Sequence, residues 1–185
     1  SRANQKTIDR IRTTTHAMKD DMEVLLALAR SEDREESNQL FSVYRLAREL
    51  IVDLEQSTPA YRGRVKLEDE DSEAIFADPS LVRLLLRNLI QNALRHTRSD
   101  VEITIRTGEI VVQDFGSGLP LENREQLFKP DIRSLGDKQK GNFKNSTFGL
   151  LIVRLVAERL GWTLELIRSN NEGTVFQILI GNAGT

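Results

Sequence analysis

The longest regular alternation of apolar and polar positions begins after Asp78-Pro79. Val82, Leu85, Leu86, Leu89 and Ala93 recur at three- and four-residue spacing, which predicts a helix with one buried stripe, ending near Thr97. On another face Asn88, Asn92, Arg95 and His96 fall about one turn apart, because residues three and four apart are neighbours on a helix. Asparagine is a mediocre helix former, since its amide competes for backbone hydrogen bonds. Two of them one turn apart, followed by two groups that can carry positive charge, suit a site for a metal-bound anion. The plain polar face of an amphipathic helix is the other reading of the same spacing.

Upstream, Ile8, Ile11, Thr15, Met18, Met22, Leu25 and Ala29 alternate in threes and fours, the heptad pattern of a helix that packs along its length. Residues 31–38 are too polar to bury and break the pattern. A second run follows, with Leu40, Val43, Ala47, Leu50 and Leu54 on one stripe and Tyr44 and Ile51 beside it. Two such helices joined by a polar turn predict an antiparallel hairpin. A hairpin of this size cannot close a core alone, so pairing with a second copy into a four-helix bundle is the economical solution. The alternative is a helical subdomain folded onto the rest of the chain. Pro59 resists helix and marks the expected boundary, giving a hairpin over 1–56 and a second domain over 57–185.

Beyond it, short apolar runs alternate with helices. Residues 65–67 and 74–76 read as strands before the long helix, and 101–105 and 110–112 as strands after it, separated by a Thr107-Gly108 turn. A short helical turn fits 119–128, whereas 129–147 has no sustained apolar period. Leu151, Ile152, Leu155, Val156 and Leu160 predict a helix over 149–160, and 162–167 with 174–180 a closing hairpin around Asn170-Asn171-Glu172-Gly173. This order argues an α+β sandwich with helices on one face of a sheet.

Composition narrows the chemistry. A formal net charge of −2 gives no bulk electrostatic case for nucleic acid. The absence of cysteine excludes disulfides and thiolate metal sites. No apolar run approaches the roughly 20 residues that span a bilayer, and no signal peptide is visible. The chain opens with Ser1, as expected of a fragment whose membrane segment, if any, belongs to a longer parent.

The strand at 110–113 runs straight into Asp114-Phe115-Gly116-Ser117-Gly118. A carboxylate at a strand end accepts a hydrogen bond from a base amine, and glycines two and four residues later let backbone come close to a ligand. The Asn-x-x-x-Asn helix followed by this Asp-x-Gly-x-Gly turn resembles the nucleotide-binding domain of sensor histidine kinases, in the wider superfamily of gyrase, chaperone and mismatch-repair ATPases. The resemblance covers 67–180, with a weaker match before it.

That resemblance implies ATP and Mg2+ as ligands. It implies that Asn92 coordinates magnesium, with Asn88 as its partner asparagine and Arg95 and His96 near the phosphates. It places Asp114 at the adenine amine, Gly116 and Gly118 beneath the base, Phe128 before a mobile lid, and Thr174 at the closure of the adenine pocket. The family's second glycine box is represented by Asn145-Ser146-Thr147-Phe148-Gly149-Leu150, where only the last glycine survives. Amides of that helix start, through Thr147, Gly149 and Leu150, still face a triphosphate in this reading. Lys138, Lys140 and Lys144 are further phosphate contacts or simply a solvated loop. Hydrolysing relatives carry glutamate where Asn88 stands, and an amide cannot take the proton of an attacking water.

The phosphoryl group then goes to a side chain. His16-Ala17-Met18-Lys19-Asp20-Asp21-Met22 partly resembles the phosphoacceptor box His-Glu-Leu-Arg-Thr-Pro-Leu. Ala17 replaces the usual acid, and Asp20, one turn on, is the nearest carboxylate able to act as base. The resemblance thus implies a homodimeric histidine kinase that phosphorylates His16 and passes the group to an aspartate of a response regulator receiver domain. It implies a cytoplasmic portion of an inner-membrane sensor protein. The altered boxes also fit a degenerate core that binds nucleotide and dimerises with little or no transfer.

Overall fold

The structure is a computed structural model that describes residues 37–119, Arg124 and 145–181, with side chains from Gly149 onward in the last stretch. Two compact units divide between Glu36 and Ser37. The described one opens with β1 (Gln39–Phe41), α1 (Val43–Ser57) and a single 3-10 turn at Pro59–Tyr61. β2 (Val65–Glu70), β3 (Ile75–Ala77), α2 (Pro79–His96), β4 (Val101–Arg106) and β5 (Glu109–Asp114) follow. α3 (Asn145–Leu160), β6 (Thr163–Asn170) and β7 (Gly173–Leu179) close it. The α+β class expected from the sequence is the one found.

The main sheet has the order β2-β4-β5-β7-β6, with β2 and β4 parallel and every other pair antiparallel. Alternation along the strands sorts its two faces. Val101, Ile103 and Ile105 of β4, Ile110 and Val112 of β5, and Phe176 and Ile178 of β7 are buried on one face. Their neighbours Glu102, Gln113 and Gln177 are half-buried on the other. α2 lies over β4 and β5, α3 lies against β6, and the two helices pack on each other. The predicted stripe of α2 is fully inside: Val82, Leu85, Leu86, Leu89 and Ala93 are all buried. Each large aliphatic side chain so covered contributes about 1.5–3 kcal/mol.

Local chemistry sets the helix ends. Asp78 caps α2 by accepting the Ser80 N–H at 2.8 Å, and Pro79 supplies a pre-set φ in the first turn. At the other end Arg64 donates from Nη2 to the Thr97 and Ser99 carbonyls, at 2.7 and 3.1 Å. A cation on carbonyls that follow a helix complements its dipole and fixes the exit of the chain.

The first helix differs from expectation in two respects. Leu40 belongs to a two-stranded ribbon, paired with Phe76 across β1 and β3, because Ser42 caps the helix by accepting the Arg45 N–H at 3.3 Å. The stripe Val43, Ala47, Leu50, Ile51 and Leu54 is buried against α2 and β2 inside the unit that starts at Ser37, and Asp53 pairs with Arg83 of α2. The compact unit therefore begins some twenty residues before the boundary expected at 57. An amphipathic stripe states that a face is covered, not by what. The run 7–30 lies outside the described residues.

At the sheet edge Glu70 and Arg106 pair across β2 and β4 at 2.6 Å, and the guanidinium holds the Glu70 carboxyl below its usual range. Among the described residues no helix is long and apolar enough to cross a membrane.

Candidate functional site

β5 delivers Asp114 to the helix-covered face of the sheet, where it is only 3% exposed. Its Oδ1 accepts the Gly116 N–H at 2.8 Å, closing an Asx-type turn over its own side chain. No donor among the described residues takes the second oxygen, which leaves it as the acceptor for a ligand. A carboxylate at a strand end with one oxygen pinned and the other left to accept fits a recognition group.

The turn sits against the end of α2. A Cβ on Gly116 would lie 2.3 Å from the His96 carbonyl oxygen, so only glycine lets the loop and the helix end approach this closely. Gly118, at φ +76°, is pressed in the same way against the backbone of Asn170, where a Cβ would come within 2.4 Å of the carbonyl oxygen. Thr174, 1% exposed, stands opposite Asp114 in the β5–β7 ladder, so both side chains share one face.

One turn before His96, α2 carries Asn92, 3% exposed, and its amide oxygen Oδ1 is buried without a hydrogen-bond partner among the described residues. Native structures rarely leave such an atom orphaned, so it calls for a ligand. One turn earlier Asn88 donates from Nδ2 to the Leu84 carbonyl at 2.9 Å. Its Oδ1 lies 3.3 Å from the place a Cβ on Gly149 of α3 would occupy.

The family of histidine kinase-, DNA gyrase B- and HSP90-like ATPases matches residues 77–183, which spans α2, the Asp114 turn, α3 and the closing hairpin. The chain belongs to this family. Within it, the sensor protein RstB of Escherichia coli (strain K12) is 31% identical over 130 residues, covering 68% of this chain and 30% of RstB. The chain thus spans about a third of that relative's length. The solved cytoplasmic segment of histidine kinase QseC has a TM-score of 0.61 at 21% identity, covering 90% of this chain and 89% of that one. The catalytic domain of histidine kinase ThkA, at TM-score 0.60 and 22% identity, covers 78% of this chain and 95% of its own length. The fold is that of a histidine kinase catalytic domain.

In this histidine kinase-type core the site residues expected from the sequence fall into two clusters on α2. Gly116 of the Asp114 turn meets the helix's C-terminal end at His96, with Thr174 beside Asp114 and Gly118 against Asn170, and Asn88 meets α3 at Gly149. Asn92 lies one turn from both Asn88 and His96. Arg95 is exposed in the last turn, where a cation complements the helix dipole. Leu150 is 1% exposed and belongs to the core, so any contact it makes with a ligand is through backbone. Thr147 lies in α3, but its side chain, like His16, Asp20, Phe128, Lys138, Lys140 and Lys144, is outside what is described.

Sequence reasoning missed Ser169, whose Oγ accepts the Leu119 N–H at 2.7 Å. It also read Gly173 only as part of a turn. A lone serine in a strand has no spacing signal, and its partner is fifty residues away.

Proposed function

We propose that this chain binds ATP with magnesium and delivers the γ-phosphoryl group to a histidine, as the catalytic part of a two-component sensor kinase. The observation that carries the reading is Asn92: a buried amide oxygen, without a partner among the described residues, on the helix whose end meets the turn that carries Asp114. Magnesium takes oxygen ligands and keeps several waters, so one amide oxygen beside phosphate oxygens suits it. When bound, the ion neutralises charge on the phosphates being parted. Asp114 orients the base through its second oxygen. Gly116 and Gly118 bring backbone beneath it, and Thr174 closes the pocket.

Asn88 supports transfer over hydrolysis. Its amide donates to Leu84 and cannot accept a proton, so it activates no water. The γ-phosphorus to bridging-oxygen bond breaks, a phosphorus–nitrogen bond forms, and the imidazole gives up its N–H proton. The acceptor within the chain is His16, with Asp20 as the base. The group then passes to an aspartate of a response regulator receiver domain, and the kinase works as a homodimer at the cytoplasmic side of a membrane-anchored parent.

A second reading has a specific observation behind it. The stripe of α1, expected to pair within a bundle, is instead covered by α2 and β2 inside the unit beginning at Ser37. In that reading the chain is a nucleotide-binding module whose own His16 receives nothing.

Incubation with γ-labelled ATP separates the two. The first reading predicts an acid-labile, alkali-stable label that His16→Gln abolishes. The second predicts ATP binding with no label. An acid-stable label, or rapid release of free phosphate, would contradict transfer to histidine altogether.

A further inference from the structure

We infer that Ser169 is a positioning residue for the loop that carries the nucleotide base, acting through the backbone of Leu119. The inference rests on the ATP-binding reading above. Between Asp114 and Leu119 the chain is held at three points. The first is the Gly116 N–H on the Asp114 carboxylate, and the second is the close approach of Gly118 to Asn170. The third is the 2.7 Å bond from the Leu119 N–H to Ser169 Oγ. Leu119 is only 3% exposed, so its amide has little water to turn to if that acceptor is lost.

Ser169 also stands in a meaningful row. It pairs with Thr174 across β6 and β7, and Thr174 pairs with Asp114 across β7 and β5. Residues in register on adjacent strands point to one face, so Ser169, Thr174 and Asp114 form a polar row beside the apolar rows of the same face. The next row on that face is Leu166, Phe176, Val112 and Ile103. Two members of the polar row are assigned to the base pocket. The third secures the far end of the loop running from one of them.

Without the hydroxyl, the Leu119 amide reaches an acceptor only if the loop lifts towards water. The fraction of molecules with the loop in place then falls, and the apparent dissociation constant rises by the inverse of that fraction. A buried N–H left without its partner corresponds to a change of about tenfold or more. The loss falls on the base end of the ligand, leaving the phosphate end untouched.

The test titrates magnesium-ATP, adenosine and magnesium-tripolyphosphate into the full chain and into Ser169→Ala, Ser169→Cys and Ser169→Thr. ATP and adenosine should both weaken about tenfold in Ser169→Ala while tripolyphosphate is unchanged. Ser169→Thr, which keeps the hydroxyl, should bind both as the wild type does, and the Leu119 amide should exchange faster in Ser169→Ala and Ser169→Cys but not in Ser169→Thr. Should Ser169→Ala fail to fold, Ser169→Cys carries the same comparison, because a thiol is a weak acceptor of similar size. Equal weakening of all three ligands, or folded Ser169→Ala that binds ATP as the wild type does, overturns the positioning role. Wild-type protein that binds no ATP overturns the ATP-binding reading, and the inference with it.

Discussion

Replacing Asp114 by asparagine is expected to lower ATP affinity by roughly tenfold to a hundredfold while the protein stays folded. The direction follows from the turn. Gly116 N–H pins one side-chain oxygen of residue 114 at 2.8 Å, and in the variant that position goes to the amide oxygen. The amide nitrogen then sits where the second carboxylate oxygen stood. A charged acceptor facing the base amine becomes a neutral donor facing another donor. The lost charged hydrogen bond accounts for about 1.5–3 kcal/mol. Calorimetric titration reads the change directly, and unchanged affinity in a folded variant would place the base elsewhere.

The largest effect on stability is expected from Gly173→Ala. Gly173 has φ +128°, a conformation side chains rarely adopt, and a Cβ there would lie 2.0 Å from the Asp114 carbonyl oxygen. The obstacle is backbone, so it cannot rotate aside. Relief requires β7 to part from β5 where Asp114 faces Thr174, which disturbs the pocket as well as the sheet. A loss of about 4 kcal/mol or more is expected, on the order of 10 °C in melting temperature for a chain this size. Gly108→Ala is the control. Gly108 also has positive φ, at +76°, but nothing lies within 4 Å of its added Cβ. It should cost only the left-handed backbone strain, about 1–2 kcal/mol. Equal melting of the two variants would mean that the β5–β7 contact is looser than described.

Much of this architecture is visible in the pattern of residues. The stripe Val82, Leu85, Leu86, Leu89 and Ala93 is periodic over about three turns, and every member is buried. Asp114-x-Gly-x-Gly is legible because strand, acid and glycines are contiguous, and because the turn's hydrogen bond closes within two residues. What pattern does not carry is the identity of a distant partner. The stripe of α1 reads identically whether it faces a second copy or α2. β1 is three residues long, with Leu40 70% exposed, so it has no alternation to read. Ser169 escaped for the same reason, since a hydroxyl accepting one amide from across the fold has no local signature. Asn92 was legible as polar and helical, but its lack of a partner is a property of packing alone.

The central claim is that Asn92 and Asp114 hold the two ends of one magnesium nucleotide. The most direct measurement is calorimetric titration of ATP into wild type and Asn92→Ala, each with magnesium and with a chelator. Wild type should bind ATP more tightly with magnesium, and Asn92→Ala should lose that enhancement while binding adenosine as before. Failure of the wild type to bind at millimolar ATP, or an enhancement that survives in Asn92→Ala, would contradict the account.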